Sequence, residues 1–245
     1  MVDKAGEKGI SIRIGVNGGS LEKDLLEKFG TATPEAMVES ALRHLELLEK
    51  EGFTNTKISL KASDVNRTVQ AYRLLARQVD YPFHLGITEA GTPFGGTIRS
   101  SIGLGILLAE GIGDTIRVSL TGKGEEECEV GHEILRALGL RSGGFRMVSC
   151  PSCGRVQIDL DRVAHEIEQG LKEIGHEGIT YAVMGCVVNG PGEARDADLG
   201  VAGGAGEGLI YRKGELIRKV KEEDLVGAFL EEAMKFKAAM DGAEV

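Results

Sequence analysis

The sequence predicts an α/β protein in which a parallel sheet is followed by a small α+β domain. Two observations predict this architecture. In the first part of the chain, short β-branched runs alternate four times with stretches of helical period, the pattern of parallel strands joined by right-handed crossovers. After Arg141-Ser142-Gly143-Gly144 this alternation stops. We therefore place a domain boundary there, between residues 1–142 and residues 143–245.

The first strand is predicted over 10–16 and ends at Asn17-Gly18-Gly19. The first helix follows over Pro34–Lys50, with Thr33 as its N-cap and Gly52 as its stop signal. Three more strand–helix pairs repeat this unit. The predicted strands are 57–60, 82–87 and 115–120, and the predicted helices are 65–79, 97–110 and 126–138.

The second part mixes strands and helices without that regular alternation. Apolar residues recur at helical spacing over 160–174, and 222–239 reads as an amphipathic closing helix. A glycine-rich stretch within 200–208 is predicted to be a hairpin turn, because a strand follows it. The predicted strands are 145–149, 179–184, 199–201 and 208–211.

Composition excludes several classes of protein. The net charge of −9 argues against nucleic-acid binding through a broad basic face. No apolar run reaches the length of a membrane span, and the charged N-terminus lacks a signal-peptide core. We therefore expect a cytoplasmic protein without a membrane partner. In such a chain the four cysteines favour metal binding or catalysis over disulfides.

Polar side chains gather where the first four predicted strands end. In parallel α/β architectures that end of the sheet carries the ligand site. The residues are Asn17, Lys61, Thr88 with Glu89, and Ser119 with Thr121.

Two arginines lie inside otherwise apolar strands. Arg13 shares a strand face with Asn17, and Arg117 shares one with Ser119. An inward-facing arginine is costly unless it meets an anion or a carboxylate. The pattern therefore leaves two interpretations open: a phosphorylated ligand, or internal ion pairs with an acid such as Glu89. Glu89 itself fits either a general acid or base or a structural ion-pair partner.

The cysteines suggest a metal centre. Cys150 and Cys153 are two residues apart in one turn, Cys186 ends another predicted strand, and a Gly-Pro-Gly turn then leads to Glu193. Three thiolates and one carboxylate make a set of four ligands. On this spacing we rank an iron–sulfur cluster first, a zinc site second and a redox-active dithiol third. Cys128, at the start of a predicted helix, is interpreted as an ordinary unpaired thiol.

These motifs resemble a known family. Cys150-Pro151-Ser152-Cys153-Gly154-Arg155, together with the segment 184–193, resembles the 4-hydroxy-3-methylbut-2-en-1-yl diphosphate synthases of the non-mevalonate isoprenoid pathway. The resemblance extends to the segments 13–17, 58–63, 86–92 and 116–121.

The resemblance implies a more specific fold. Family members carry an eight-stranded barrel before an iron–sulfur domain, and this chain is expected to begin at the fifth strand. Residues 1–142 are then the second half of a (β/α)8 TIM-type barrel, and 143–245 are the iron–sulfur domain. The resemblance also implies a homodimer, because in the family the cluster domain of one subunit caps the barrel of its partner.

The resemblance further implies an oxidoreductase that opens the ring of 2-C-methyl-D-erythritol 2,4-cyclodiphosphate in a two-electron reductive dehydration. The electrons come from flavodoxin or ferredoxin through a 4Fe–4S cluster, and Glu89 matches an acidic residue implicated in the chemistry. The implied cluster ligands are Cys150, Cys153, Cys186 and Glu193. The implied substrate-binding residues are Arg13, Asn17, Lys61, Thr88, Arg117 and Ser119.

Two functions therefore remain open. One is the reductase, complete in this chain's own oligomer or together with further strands. The other is a catalytically incomplete fragment that acts only as an iron–sulfur cluster-binding module. Both predict a cluster, and they differ in whether an intact barrel forms.

Overall fold

The computed structural model describes residues 1–175, 177–186, 192 and 196–241. It consists of two units, Met1–Arg141 and Ser142–Val245. Within these described ranges, no helix is both long enough and apolar enough to cross a membrane.

The first unit alternates strands and helices in the predicted order. A short helix α1 precedes the first strand, and a second short helix, α2, lies between the first strand and the first long helix. The elements are α1 Val2–Lys8, β1 Ile12–Asn17, α2 Lys23–Phe29, α3 Pro34–Lys50, β2 Thr56–Lys61, α4 Val65–Leu75, β3 His84–Leu85, α5 Pro93–Ala109, β4 Thr115–Ile116 and α6 Gly124–Ala137.

Local capping explains where the helices begin. The side chain of Thr33 accepts a hydrogen bond from the Ala36 N–H at 3.2 Å, so α3 begins as the sequence predicts. Asp64 caps α4 in the same way, accepting from the Arg67 N–H at 2.6 Å. Helix α2 was not predicted, because Leu25 is its one buried residue and no apolar stripe marks it.

The four strands pair in parallel as two couples, β1 with β2 and β3 with β4. A single bridge between Ile58 and Phe83 joins the couples. One face of the strands, which includes Ile14, Ile58 and Leu85, packs in a continuous apolar core with the helices. Alternate residues therefore point to the opposite face.

A tyrosine hydroxyl joins β2 to β3. The Tyr72 hydroxyl on α4 accepts a hydrogen bond from the Leu60 N–H at 2.9 Å and donates one to the His84 carbonyl at 2.7 Å. It thus bridges two backbone groups that a continuous ladder would pair directly. Tyr72 is fully buried, and burial raises its pKa to about 12.

The strands β3 and β4 are shorter than predicted, since only two residues of each form the ladder instead of six. The Tyr72 hydroxyl replaces one ladder bond on the β2 side, at the His84 carbonyl. Beyond β4, the Arg117 N–H still donates to the Leu85 carbonyl at 2.9 Å. Hydrogen bonding between the β3 and β4 segments therefore continues past the regular ladder. A pattern of residue types does not show where the regular ladder stops.

The second unit contains one five-stranded mixed sheet with the order β5-β6-β7-β8-β9. The first three strands run parallel, and the last two pair antiparallel. The elements are β5 Arg146–Ser149, α7 Leu160–Ile174, β6 Thr180–Met184, β7 Leu199–Gly204, β8 Glu207–Arg212, β9 Glu215–Lys221, a 3-10 turn Glu222–Asp224 and α8 Leu225–Asp241.

Helices α7 and α8 pack in one apolar core with the sheet, centred on Tyr181 and Phe229. Helix α7 has the predicted bounds, with Asp159 as N-cap and Gly175 in the left-handed conformation at its end. The predicted glycine-rich hairpin is confirmed between β7 and β8. The edge strand β9 was not predicted, because its charged, exposed sequence lacks a buried face.

Candidate functional site

The open face of the first unit's strands carries a group of cations. The parallel register places Arg13 opposite Lys57, Gly15 opposite Ser59, and Asn17 opposite Lys61. Since residues in register share a face, all of these side chains project from the side opposite the helices.

The neighbouring strands extend this face. The bridge between Ile58 and Phe83 places the next residues, Ser59 and His84, side by side, and His84 is in register with Thr115. Arg117 lies two residues after Thr115 and so projects to the same side. We call Arg13, Lys57, Lys61, His84 and Arg117 the cationic face.

The cations of this face form no close ion pair with a carboxylate of the described residues. Among the described residues, no carboxylate oxygen lies within 4.0 Å of a side-chain nitrogen of Arg13, Lys57, Lys61 or Arg117. The internal ion pairs that the sequence left open are therefore absent from the described part of the chain. Burial lowers the pKa of Arg117, and the charge of Arg13 lowers it further, while Tyr72 and the Glu127 carboxylate oppose both.

Two glycines leave room for long cationic side chains. A Cβ added at Gly15 would lie 3.5 Å from the Lys61 ammonium nitrogen, so the Lys61 side chain crosses this position. A Cβ added at Gly86 would lie 2.8 Å from the Arg117 carbonyl oxygen and 3.0 Å from its guanidinium carbon. The Arg117 guanidinium donates to the Ile87 carbonyl at 3.0 Å, which fixes it over Gly86.

The hydroxyl and amide residues predicted at the strand ends differ from one another in their hydrogen bonds and burial. The Asn17 side chain accepts a hydrogen bond from the Gly19 N–H at 3.2 Å and so caps the turn after β1. The Thr88 N–H donates to the Ala62 carbonyl at 3.0 Å, which ties the end of the β3 segment to the end of β2. Ser119 is half-buried two residues beyond Arg117.

Glu89 lies in the loop after β3 in an unusual backbone conformation. Its φ is +51°, in the left-handed region that residues other than glycine seldom occupy. The loop is tied at Gly91, whose carbonyl accepts from the Thr121 N–H at 2.9 Å, and at Ala90, whose carbonyl accepts from Arg99 at 2.6 Å. Backbone strain of this kind concentrates at functional sites and is held by surrounding contacts. The Glu89 side chain is exposed.

The thiols of the second unit are free, and the segments that carry them are joined by hydrogen bonds. The Cys150 sulfur accepts a hydrogen bond from the Gly185 N–H at 3.2 Å, and Gly185 directly precedes Cys186. The turn that carries Cys153 is tied to the same place, because the Gln157 N–H donates to the Gly185 carbonyl at 2.8 Å. The ends of β5 and β6 thus bring both cysteine segments together.

The three thiols differ in exposure. Cys186 is buried at 5 % exposure, Cys150 is half-buried and Cys153 is exposed. The Arg155 N–H and then the Arg155 side chain lower the pKa of the Cys153 thiol. No group of three or more His, Cys, Asp or Glu among the described residues forms a complete metal site. Glu193, the fourth predicted ligand, lies outside the described residues.

Comparison with known families decides the relationship. Residues 1–132 match the model of the GcpE TIM-barrel domain, and residues 146–235 match that of the GcpE protein C-terminal domain. The chain belongs to the GcpE family. The resemblance stated from the motifs is thereby confirmed, as is an α/β chain composed of a GcpE TIM-barrel domain and a C-terminal domain.

Curated GcpE relatives are highly similar over most of this chain. The 4-hydroxy-3-methylbut-2-en-1-yl diphosphate synthase (flavodoxin) of Geobacter sulfurreducens is 61 % identical over 238 residues, which cover 97 % of this chain and 67 % of the relative. The proteins of the same name from Clostridium tetani and Maridesulfovibrio salexigens are 58 % and 59 % identical, with 65 % and 66 % of their lengths covered. The chain thus spans about two thirds of these GcpE relatives.

Sequence reasoning missed two members of the cationic face in this GcpE chain. Lys57 alternates with Ser59 and Lys61, and His84 alternates with Gly86 and Thr88. The period-two alternation of a strand therefore indicates that these residues share a face with the predicted site residues. Ligand sites of parallel sheets are expected at the strand ends, whereas Lys57 and His84 lie near the strand beginnings.

Proposed function

We propose that this chain takes part in the reductive ring opening and dehydration of 2-C-methyl-D-erythritol 2,4-cyclodiphosphate to (E)-4-hydroxy-3-methylbut-2-en-1-yl diphosphate. The observation that carries the proposal is the cationic face, together with the names of the GcpE relatives. A diphosphate is the kind of ligand that neutralises several cations without a carboxylate partner.

The proposed substrate contacts lie on or just beyond this face. Arg117 and Lys61 supply charge, and their side chains lie over Gly86 and Gly15, which leave room for them. Arg13 adds a charge nearer the beginning of β1. The proposed polar contacts to the remaining oxygens are Asn17, Thr88 and Ser119.

We propose Glu89 as the group that exchanges a proton with the substrate. Loss of a hydroxyl group as water requires a proton, and an exposed carboxyl group in the loop that follows β3 is suited to exchange one. The Glu89 backbone is left-handed, and hydrogen bonds to the carbonyls of Ala90 and Gly91 hold the residues that follow it. This supports a carboxyl group held in a defined position for the reaction.

We further propose that Cys150, Cys153, Cys186 and Glu193 hold a 4Fe–4S cluster. Three free thiols on two adjoining strand ends fit the soft-ligand preference of iron–sulfur clusters. When bound, the cluster would supply the electrons for the reduction. The Gly185 N–H that contacts the Cys150 sulfur is the kind of donor that stabilises thiolate ligands.

The proposed architecture is the second half of a (β/α)8 barrel followed by the iron–sulfur domain. Four strand–helix units in the first unit support this arrangement. Flavodoxin is the proposed electron donor, after the printed name of the relatives, with ferredoxin as the alternative. A homodimer is proposed because the paired strands of a partial barrel present edges that invite pairing with another chain.

The cluster proposal is tested by anaerobic reconstitution with iron and sulfide. The parent chain should turn brown and give the electron paramagnetic resonance signal of a reduced 4Fe–4S cluster. Cys150→Ser, Cys153→Ser and Cys186→Ser should each lose most of the bound iron. Cys128→Ser is the matched control, because Cys128 is exposed on α6 and should leave the cluster intact. A colourless parent chain that holds zinc would refute the proposal.

The activity is tested with the reconstituted chain, the cyclodiphosphate and reduced flavodoxin or a strong chemical reductant. Formation of the linear diphosphate supports the proposed reaction. Glu89→Gln should lower turnover while leaving substrate affinity nearly unchanged. Arg117→Met should weaken affinity, since it removes a charge from the binding face.

A second candidate function is a cluster-binding module without turnover. This candidate is supported by the observation that the chain spans about two thirds of the length of its GcpE relatives. A brown protein that binds its cluster but forms no product in the assay above would establish this function over the first.

A further inference from the structure

His84 belongs to the cationic face at the beginning of β3, the strand between β2 and β4, and is held at two points. Its carbonyl accepts the hydrogen bond from Tyr72, and its ring nitrogen Nδ1 lies 2.8 Å from the Thr115 hydroxyl. The other ring nitrogen, Nε2, is buried and has no hydrogen-bond partner among the described residues. A buried polar atom left unpaired is costly, so this position favours a partner that the described residues do not supply.

The charged groups that face His84 come from several elements. Arg13 on β1, Lys57 on β2 and Arg117 after β4 all interact electrostatically with its ring. Lys61 lies one pleat further along β2, on the same face. Helix α4 contributes the Tyr72 hydroxyl, which stays neutral because burial raises its pKa to about 12.

The burial of His84 and the cations around it disfavour a charged imidazole in the free protein. Burial lowers the pKa of His84, and the charges of Arg13, Arg117 and Lys57 lower it further. Among the described residues, no carboxylate lies within 4.0 Å of these cations, and Glu127 on α6 partly offsets the charge of Arg117 from a greater distance. Burial and the surrounding cations therefore both favour the neutral imidazole in the free protein.

We infer that the binding of an anion to the cationic face is coupled to the uptake of a proton by the His84 imidazole. The inference rests on the proposed function, since it requires that this face binds a phosphate-like group. It assigns a role to His84, which is not among the site residues that the sequence motifs predict. The negative charges of a diphosphate would offset the repulsion that disfavours a charged His84, and the protonated ring would gain an anionic partner.

The coupling has a definite sign. Anion binding raises the pKa of His84, so by linkage the anion binds more tightly as the pH falls. The uptake of one proton limits this effect to a tenfold gain in affinity for each pH unit. The effect vanishes at a pH high enough that His84 stays neutral in both states.

The test follows the ring resonances of the five histidines by nuclear magnetic resonance as the pH is varied. Sulfate serves as the probe, because its charge does not change in the range where histidine titrates. Sodium chloride at equal ionic strength is the reference, since salt screening alone would weaken the repulsion. His84→Asn assigns the signal, because asparagine retains a side-chain group that can hydrogen-bond Thr115.

With sulfate, the titration midpoint of His84 should rise relative to the chloride reference. The internal control is His44, which lies on α3 with its Nδ1 at 2.8 Å from the Ser40 carbonyl. Its midpoint should be the same in both salts. A His84 midpoint that does not move, although sulfate shifts the amide signals of Asn17 and Gly86, would overturn the coupling and leave the anion site standing. If sulfate shifts neither amide, the anion site and the coupling are both refuted.

A second measurement needs no bound anion. Lys57→Gln removes one of the cations that face His84, so the titration midpoint of His84 should rise in the free protein. Lys50→Gln is the matched control, because Lys50 is exposed on α3 and pairs with Glu46. Equal His84 midpoints in the parent and in Lys57→Gln would show that the cations do not set its protonation, and would overturn the inference.

Discussion

Replacing Tyr72 by phenylalanine tests how the first unit holds β2 against β3. The change removes the hydroxyl that accepts from the Leu60 N–H and donates to the His84 carbonyl. Each buried backbone group left unpaired costs about 1–3 kcal/mol, and the variant no longer buries a polar hydroxyl. We therefore expect Tyr72→Phe to lower the free energy of unfolding of this unit by about 2–4 kcal/mol.

Urea denaturation followed by circular dichroism measures this loss as a lower midpoint with an unchanged slope. Hydrogen exchange should also show faster exchange of the Leu60 amide. Tyr81→Phe is the matched control, because the Tyr81 hydroxyl contacts only the exposed carboxylate of Glu49, at 2.9 Å. The control should change stability by less than about 0.5 kcal/mol. If Tyr72→Phe were as stable as the control and Leu60 stayed protected, the strands would pair directly and the bridging role of the hydroxyl would be wrong.

Three further changes probe other features of the first unit. Gly86→Ala should displace the Arg117 backbone and guanidinium, which lowers stability and should weaken sulfate binding at least several-fold in a titration. Thr33→Ala removes the cap of α3 and should cost about 1 kcal/mol in urea denaturation, whereas Thr33→Ser should cost much less. Because the pKa of His84 is lowered in the folded protein, the unfolded chain binds more protons as the pH falls through the usual histidine range. Stability should therefore decrease over that range, and His84→Asn should remove this part of the decrease.

Periodicity and capping signals were sufficient to predict the long elements. Helix α3 has the predicted bounds because Thr33, Pro34 and the apolar stripe agree. Helix α7 likewise has an acidic cap, a strong apolar stripe and a glycine stop. In such segments local signals and tertiary packing favour the same structure, and prediction succeeds.

Prediction from sequence failed where a tertiary contact overrides the local pattern. The pairing of β3 with β2 is interrupted because a tyrosine from the connecting helix α4 enters it, and no property of residues 82–87 encodes that contact. The spacing of the site residues correctly indicated that Arg13 and Asn17 share a face. It did not separate a ligand site from internal ion pairs, since that distinction depends on which carboxylates lie within reach in three dimensions.

The cationic face also has a consequence for handling the protein. Cations that repel one another without a counter-charge oppose compaction of the first unit. A phosphate-like solute that binds only the folded chain would therefore act as a stabiliser, by about 2.7 kcal/mol at a hundred times its dissociation constant. The choice of buffer salt during purification, and not only its concentration, should then determine how much intact protein survives heating or storage.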